Sequence, residues 1–186
     1  MYGLIIEGVK YMITENFGTT VLQQVLTIAD ISDKEISTHD QYGEHIVPNL
    51  IKAVAEIVKM DVDQWEYWLV GSIFVRFLIS HGYGDLMNVM GRKFSDFLKG
   101  LDNIHEYFRF SYPKIKPPSF YVQWRMKWLI LHYRSRRKGY IAYVMGQLIE
   151  LARVFYNTEL GATGDKLKEK GRFTFVLFVF DSIILL

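Results

Sequence analysis

An α+β fold is predicted from the order in which two periodicities succeed one another along the chain. Apolar residues recur at three and four positions through roughly the first two-thirds, a proline-rich break follows, and strand-like alternation appears only after it. With 186 residues, 50% of them hydrophobic and 16% aromatic, the chain can bury one good core and is too short for two ordinary domains. Residues 1–186 therefore read as a single domain.

The helical signal begins with Leu4, Ile5, Val9, Met12 and Ile13 and repeats at Val47, Leu50, Ile51, Val54 and Ile57. From Val62 to His81 the segment is apolar nearly all round, which predicts a core helix closed by Gly82 and Gly84, with another helix through the Asp85–Gly91 region. KFSDFLKGLDNIHEYFRF then places Phe97, Leu101, Ile104, His105 and Phe108 on one helical face, despite a Gly100 that costs about 1 kcal/mol relative to alanine. SYPKIKPPSF holds three of the four prolines and favours extended backbone before a short strand. KWLILHYRSR alternates, so Leu129, Leu131, Tyr133, Ser135 and Arg137 share a face if the strand persists. A helix over YIAYVMGQLIELARVFY, a loop over GATGDKLKEKGR and a final strand over FTFVLFVF complete the reading.

Composition excludes several functions. The chain has no cysteine, which removes disulfides, thiolate catalysis and iron–sulfur clusters and is compatible with a reducing compartment. The formal net charge of +2 supplies no overall field toward nucleic acid or a membrane. The N-terminus lacks signal-peptide organisation, and the apolar stretch Phe173–Leu186 contains Asp181 and falls short of the roughly 20 residues a spanning helix needs. A cytoplasmic protein that binds neither nucleic acid nor membrane is expected.

Among five histidines no pair has HExxH or HxH spacing, so a catalytic zinc centre has no sequence support, and any metal rests on histidine or carboxylate. His105 alone joins an apolar helical face to aromatic neighbours. A lone histidine there is commonly a core residue bonded to a carbonyl, and periodicity does not choose ligation over that role. No GxSxG elbow and no phosphate-cradling glycine loop occurs. RSRRK, from Arg134 to Lys138, lacks the second basic cluster and interleaved aromatics of a nucleic-acid surface and reads first as a solvated strand end. Its YxSxR pattern also presents two hydroxyls and a guanidinium, a set suited to a pair of carboxylates.

LDNIHEYFRFSYPKIKPPSF and LHYRSRRKGY resemble the haem-ligand and haem-propionate motifs of the H-NOX (haem nitric oxide/oxygen binding) family. MYGLIIEGV and RFLISHGYGDLMNVMGR resemble the same family, so the likeness covers roughly residues 1–160 and is similar to the sensor domain of atypical soluble guanylate cyclases of invertebrates. The resemblance implies a helical N-terminal subdomain, over about 1–62, packed on a helix plus antiparallel-sheet subdomain, over 63–186, that together enclose a haem b. It implies His105 as the iron ligand, Tyr133, Ser135 and Arg137 at the propionates, and Pro118 pressing on the porphyrin. Tyr143, three residues before Gly146, matches the distal tyrosine of dioxygen-binding members, with Tyr140 as a rival donor. Phe74, Leu78, Ile5 and Val9 form the apolar wall around it by similarity. The implied ligands are dioxygen, nitric oxide and carbon monoxide, and the implied partner is a cyclase or other signalling domain. The family usually supplies two strands after Glu159, whereas the residues here predict one.

The resulting expectation is a gas sensor feeding cGMP signalling, without catalytic activity in this chain. Two other classes stay open on the residues alone. A haem enzyme such as a peroxidase needs a distal base and arginine, and no HxxxR-like pair is visible. A cofactor-free helical scaffold would give His105 a purely structural role, and a Soret band in the purified protein separates it from both haem readings.

Overall fold

The computed structural model describes residues 2–32, 36–60, 65–125, 128–137, 140–165 and 172–181. The chain forms two compact units, Met1–His81 with Ala142–Gln147 and Gly82–Ile141 with Leu148–Leu186. In this grouping the apolar helix that follows residue 62, where a division is expected from the resemblance, joins the first unit and packs with the N-terminal helix.

In the first unit, α1 (Gly3–Ile28) changes direction at Gly18, whose φ of 83° is open to a glycine and strained for other residues. Its apolar face, Ile6, Val9, Met12 and Ile13, is buried. α2 (Ile46–Val58) buries Val47, Leu50, Ile51 and Val54 while Lys52 and Glu56 stay exposed. Each such aliphatic side chain contributes about 1.5–3 kcal/mol when fully removed from water. α3 (Trp65–Leu78) buries Val70, Ile73, Phe74 and Phe77 against this core, and the expected start at Val62 lies outside the described residues.

The expected glycine stop after α3 is a different structure. A π-helical turn, Ile79–Tyr83, follows directly, with Gly82 at φ 85°. Here the Phe77 carbonyl accepts from Ser80 Oγ at 2.9 Å and lies 2.8 Å from His81 Nδ1, so side chains compete for the acceptor an α-helix would use. The next helix, α4, is only Gly84–Asn88 and ends short of the expected Gly91.

The second unit carries α5 (Phe94–Ser111), which buries Phe97, Leu98, Leu101 and Ile104 and tolerates Gly100 on its way. A four-stranded antiparallel sheet follows in the order β1-β2-β4-β3, from β1 (Ser119–Arg125), β2 (Trp128–Arg134), β3 (Thr158–Asp165) and β4 (Arg172–Asp181). Register places Phe120 opposite Tyr133 and Ser119 opposite Arg134. On β2, Leu129, Leu131 and Tyr133 are buried while Arg134 is exposed, as period-two patterning requires. The strand does not reach Arg137, however, for it ends at Arg134. α6 (Ile141–Tyr156) closes on Asn157, whose left-handed φ of 45° ends the helix.

Two strands, not one, follow α6. GATGD, the expected start of the loop, instead completes β3 (TELGATGD), paired along its whole length with β4 from Thr158↔Asp181 to Asp165↔Thr174. Its two glycines, Glu159, Ala162 and Asp165 are poor strand formers that outweigh the two threonines, and the ladder with a strongly β-forming neighbour supplies the order instead.

Candidate functional site

The second unit gathers one connected set of side chains around the β1–β2 pair. His105 lies on α5, half-buried, its ring stacked on Phe120 at 5.7 Å and 23°. Phe120 in turn meets its cross-strand partner Tyr133 at 5.4 Å. The start of β1 is tied to α5 by the Phe120 N–H, which donates to Asp102 Oδ1 at 3.0 Å. This bond fixes the strand carrying Phe120 to the helix carrying His105.

Burial lowers the His105 pKa below its ordinary value, with Asp102 and Glu106 opposing that shift. The imidazole is therefore held neutral near pH 7. Its Nδ1 is buried and has no hydrogen-bond partner, unlike the carbonyl-bonded core histidine that the sequence left open.

Tyr133 and Ser135 are both buried. Burial raises the Tyr133 pKa, against a side-chain hydrogen bond with Ser135 and the nearby Arg137 charge, so the phenol keeps its proton. After β2 ends, the Arg137 N–H donates to Ser135 Oγ at 3.1 Å, a tight side-chain turn that redirects the chain. Arg137 Nη1 donates to the Lys116 carbonyl at 3.1 Å. Arg137 thus joins Tyr133 and Ser135 through a turn rather than through strand alternation. Pro118 is half-buried in the segment between Lys116 and Phe120, which that guanidinium anchors.

The residues assigned to the gas side lie in the first unit. Tyr143 is buried and its ring sits 5.9 Å from that of Phe74. Leu78, one turn beyond Phe74, is buried, Val9 is wholly buried and Ile5 is half-buried. A Cβ at Gly71 would collide with the Tyr143 carbonyl, and one at Gly8 would collide with the Phe74 ring. These two glycines permit the close approach of α1, α3 and the first turns of α6. Tyr140, the rival donor, stands at the N-cap of α6 and belongs to the second unit.

Four contributors escaped the sequence reading: Phe120, Asp102, Gly8 and Gly71. Phe120 had a signal, since its place in PPSF puts it at the start of a strand next to the histidine helix. The other three had none without coordinates. Among the described residues no three histidine, aspartate or glutamate side chains converge as a metal site.

A family model described as haem-NO-binding matches residues 2–163. The chain belongs to this haem-NO-binding, or H-NOX, family. It is 62% identical to soluble guanylate cyclase gcy-33 of Caenorhabditis elegans over 95% of its own length and 19% of that protein. It is 36% identical to gcy-31 of the same organism over 86% of the chain and 23% of the relative. To soluble guanylate cyclase 89Da of Drosophila melanogaster it is 34% identical, over 87% of the chain and 24% of the relative. The chain thus spans about a fifth to a quarter of the length of these cyclases.

Solved H-NOX structures share the fold. An H-NOX protein from S. oneidensis in its Fe(II)NO ligation state superposes with a TM-score of 0.85 over 97% of this chain and 100% of the other, at 18% identity. The unliganded Fe(II) H-NOX protein from K. algicida gives 0.83 over 100% of both chains, also at 18% identity. The H-NOX chain described here is accordingly a regulatory sensor domain of a haem-binding, gas-sensing family found in soluble guanylate cyclases. Among the described residues, no helix is long and apolar enough to cross a membrane.

Proposed function

We propose that this domain binds one haem b through His105 and reports the presence of dioxygen, nitric oxide or both to a guanylate cyclase or other signalling partner in the cytoplasm. The observation that carries the proposal is the half-buried, neutral imidazole of His105, whose buried Nδ1 has no protein partner, so that the ring is not the carbonyl-bonded core histidine. A ferrous porphyrin is ligated by a neutral imidazole. The residues nearby also suit the group's other end. Tyr133 and Ser135 offer hydroxyls and Arg137 a guanidinium, the chemistry that neutralises two propionates at the edge of an apolar cleft. Pro118, held in the Arg137-anchored segment, is assigned to the porphyrin face by resemblance.

When bound, the haem supplies an open coordination position for a diatomic gas. The chain supplies the polarity around that gas. Tyr143 is the assigned donor, and Phe74, Leu78 and Ile5 are the assigned apolar wall. A phenol donor favours dioxygen, which carries partial negative charge when bound, over carbon monoxide.

His105→Gly tests the ligand assignment. The variant is expected to purify without haem and to regain a Soret band when imidazole is supplied. An unchanged ferrous spectrum without imidazole would overturn the assignment. An anaerobic absorption titration of the wild type with nitric oxide, carbon monoxide and dioxygen then establishes the gas range, and absence of any dioxygen response would leave nitric oxide as the ligand.

A further inference from the structure

Charge is segregated along this chain in a way its net value hides. Between Glu106 and Glu150 there are nine lysines and arginines and not one of the chain's 20 acidic residues. Five of those cations converge at one end of the β1–β2 pair. Ser119↔Arg134 is the terminal pair of the ladder, Arg136 and Arg137 follow it, and the Arg137 guanidinium is bonded to the backbone of Lys116, two residues beyond Lys114. On the other side of β2, register sets Arg172 opposite Arg134. Lys114, Lys116, Arg134 and Arg136 are exposed, and among the described residues no carboxylate forms an ion pair with Lys116, Arg134 or Arg136. The carboxylate nearest in the site, Asp102, is already engaged by the Phe120 N–H, and Asp165 stands two strands away, at the register of Thr174.

Such a concentration of one sign serves neither packing nor the ladder, and like charges side by side oppose folding. It does raise the local concentration of an anion. We propose that Lys116, Arg134 and Arg136, with Lys114 at the margin, form an electrostatic funnel that captures haem by its two propionates. The proposal rests on the haem-binding reading above and divides the labour within it. The exposed rim sets the rate of uptake, and the buried Tyr133–Ser135–Arg137 cluster sets the rate of loss. The physical reason is that exposed, screened charges act over a Debye length on an approaching ion, about 10 Å at 0.1 M salt, and hold little once contact is made. Desolvated, hydrogen-bonded groups act only on contact.

The test is stopped-flow uptake of ferrous carbonmonoxy haem by the full chain prepared without haem, across ionic strength, with loss followed separately by transfer to apomyoglobin. Far-UV circular dichroism of each protein checks that the fold is retained. For the wild type, uptake is expected to slow by about tenfold or more between low salt and 1 M salt. Haem dimethyl ester, which lacks the propionate charges, should show no such dependence. The triple variant Lys116→Glu, Arg134→Glu, Arg136→Glu is expected to slow low-salt uptake by about tenfold or more and to converge on wild type at high salt, with the loss rate changed less than about twofold. Lysine in place of both arginines should behave as wild type. Salt-independent uptake, equal behaviour of the ester, or a rim variant that raises the loss rate as much as it slows uptake would each overturn the funnel. So would tight, salt-sensitive binding of a single- or double-stranded oligonucleotide lost in the same triple variant, which would make the rim a nucleic-acid surface. Failure of the wild type to take up haem under any condition would instead overturn the haem-binding reading itself.

Discussion

The two units hold their candidate residues in place by different physics. In the first, Phe74, Leu78 and Tyr143 are positioned by shape, through apolar helix faces and two glycines that let a ring and a carbonyl come close. In the second, His105, Tyr133, Ser135 and Arg137 are positioned by directed bonds and ring stacking, from Asp102 to the Phe120 N–H and from Arg137 to Ser135 and Lys116. The contrast suits the tasks assigned to them. A gas-facing wall needs a fixed apolar contour with a single donor, whereas a cofactor carrying a metal and two carboxylates needs oriented polar groups. It also predicts that tightened packing at the first unit's glycines will register as lost stability, and loss of the second unit's directed polar groups as lost haem retention.

The largest effect outside His105 itself is expected at Gly71. A methyl there meets the backbone of Tyr143 and Gln147, neither of which can rotate away. Gly71→Ala should cost about 1–3 kcal/mol, lowering Tm by about 2–12 °C in a chain of this size. Gly8→Ala meets side chains alone, the Phe74 ring with Phe77 at ordinary contact distance beyond it, and regains some helix propensity, so its loss should be less than half as large. Thermal melts of the two variants check the order. Equal stability of Gly71→Ala and wild type would show that the helices are not packed as tightly as the contrast requires.

Next in size is the propionate cluster, where the readout moves from stability to haem loss. Removing Arg137 deletes a charge-assisted contact worth about 1.5–3 kcal/mol, so Arg137→Ala should speed haem dissociation by about 10- to 150-fold. Ser135→Ala should raise it by about 2- to 10-fold, the range of a neutral hydrogen bond, with an added contribution from loosening the turn that Ser135 Oγ holds. Haem transfer to apomyoglobin measures both. If the two variants lose haem at the wild-type rate, this cluster does not hold the propionates.

The same contrast explains what could be read from the sequence. Chemistry-bearing residues on regular elements were legible: α5 with His105 on its inner face, and β2 with Leu129, Leu131 and Tyr133 alternating inward, are as patterned. Arg137 does lie beside Tyr133 and Ser135, but the turn made by Ser135, not strand alternation, brings it there. β3 was invisible because GATGD has no propensity of its own and takes its order from pairing with β4. The first unit's wall is assigned only through family resemblance, since Phe74, Leu78 and Ile5 look like any other core residues of amphipathic helices. Nothing in the composition of α3 says which helices it joins.

The smallest effects, and the sharpest test of the contrast, come from two tyrosines on one helix. α6 places Tyr143 in the first unit and Tyr156 in the second. The Tyr156 hydroxyl is buried without a hydrogen-bond partner, and burial together with Asp96 raises its pKa. Its ring packs on Phe94 at 5.7 Å and Phe97 at 5.8 Å, contacts that phenylalanine would keep. Since an unsatisfied buried hydroxyl carries a desolvation cost of about 1–3 kcal/mol, Tyr156→Phe should be neutral to stabilising, by up to about 1 kcal/mol or 2–4 °C in Tm, with gas and haem affinities unchanged. Tyr143→Phe removes the same atom from the other unit and should do the reverse. Stability should stay within about 1 kcal/mol, while dioxygen affinity falls by about 5- to 30-fold and carbon monoxide affinity moves less than about twofold. Melts and gas titrations on both variants, run side by side, separate a hydroxyl that serves the ligand from one that serves nothing. Were Tyr143→Phe to bind dioxygen as tightly as wild type, the first unit would contribute shape alone. Were Tyr156→Phe to melt several degrees lower, its hydroxyl would have a partner in solution and the second unit's polar network would extend along α6.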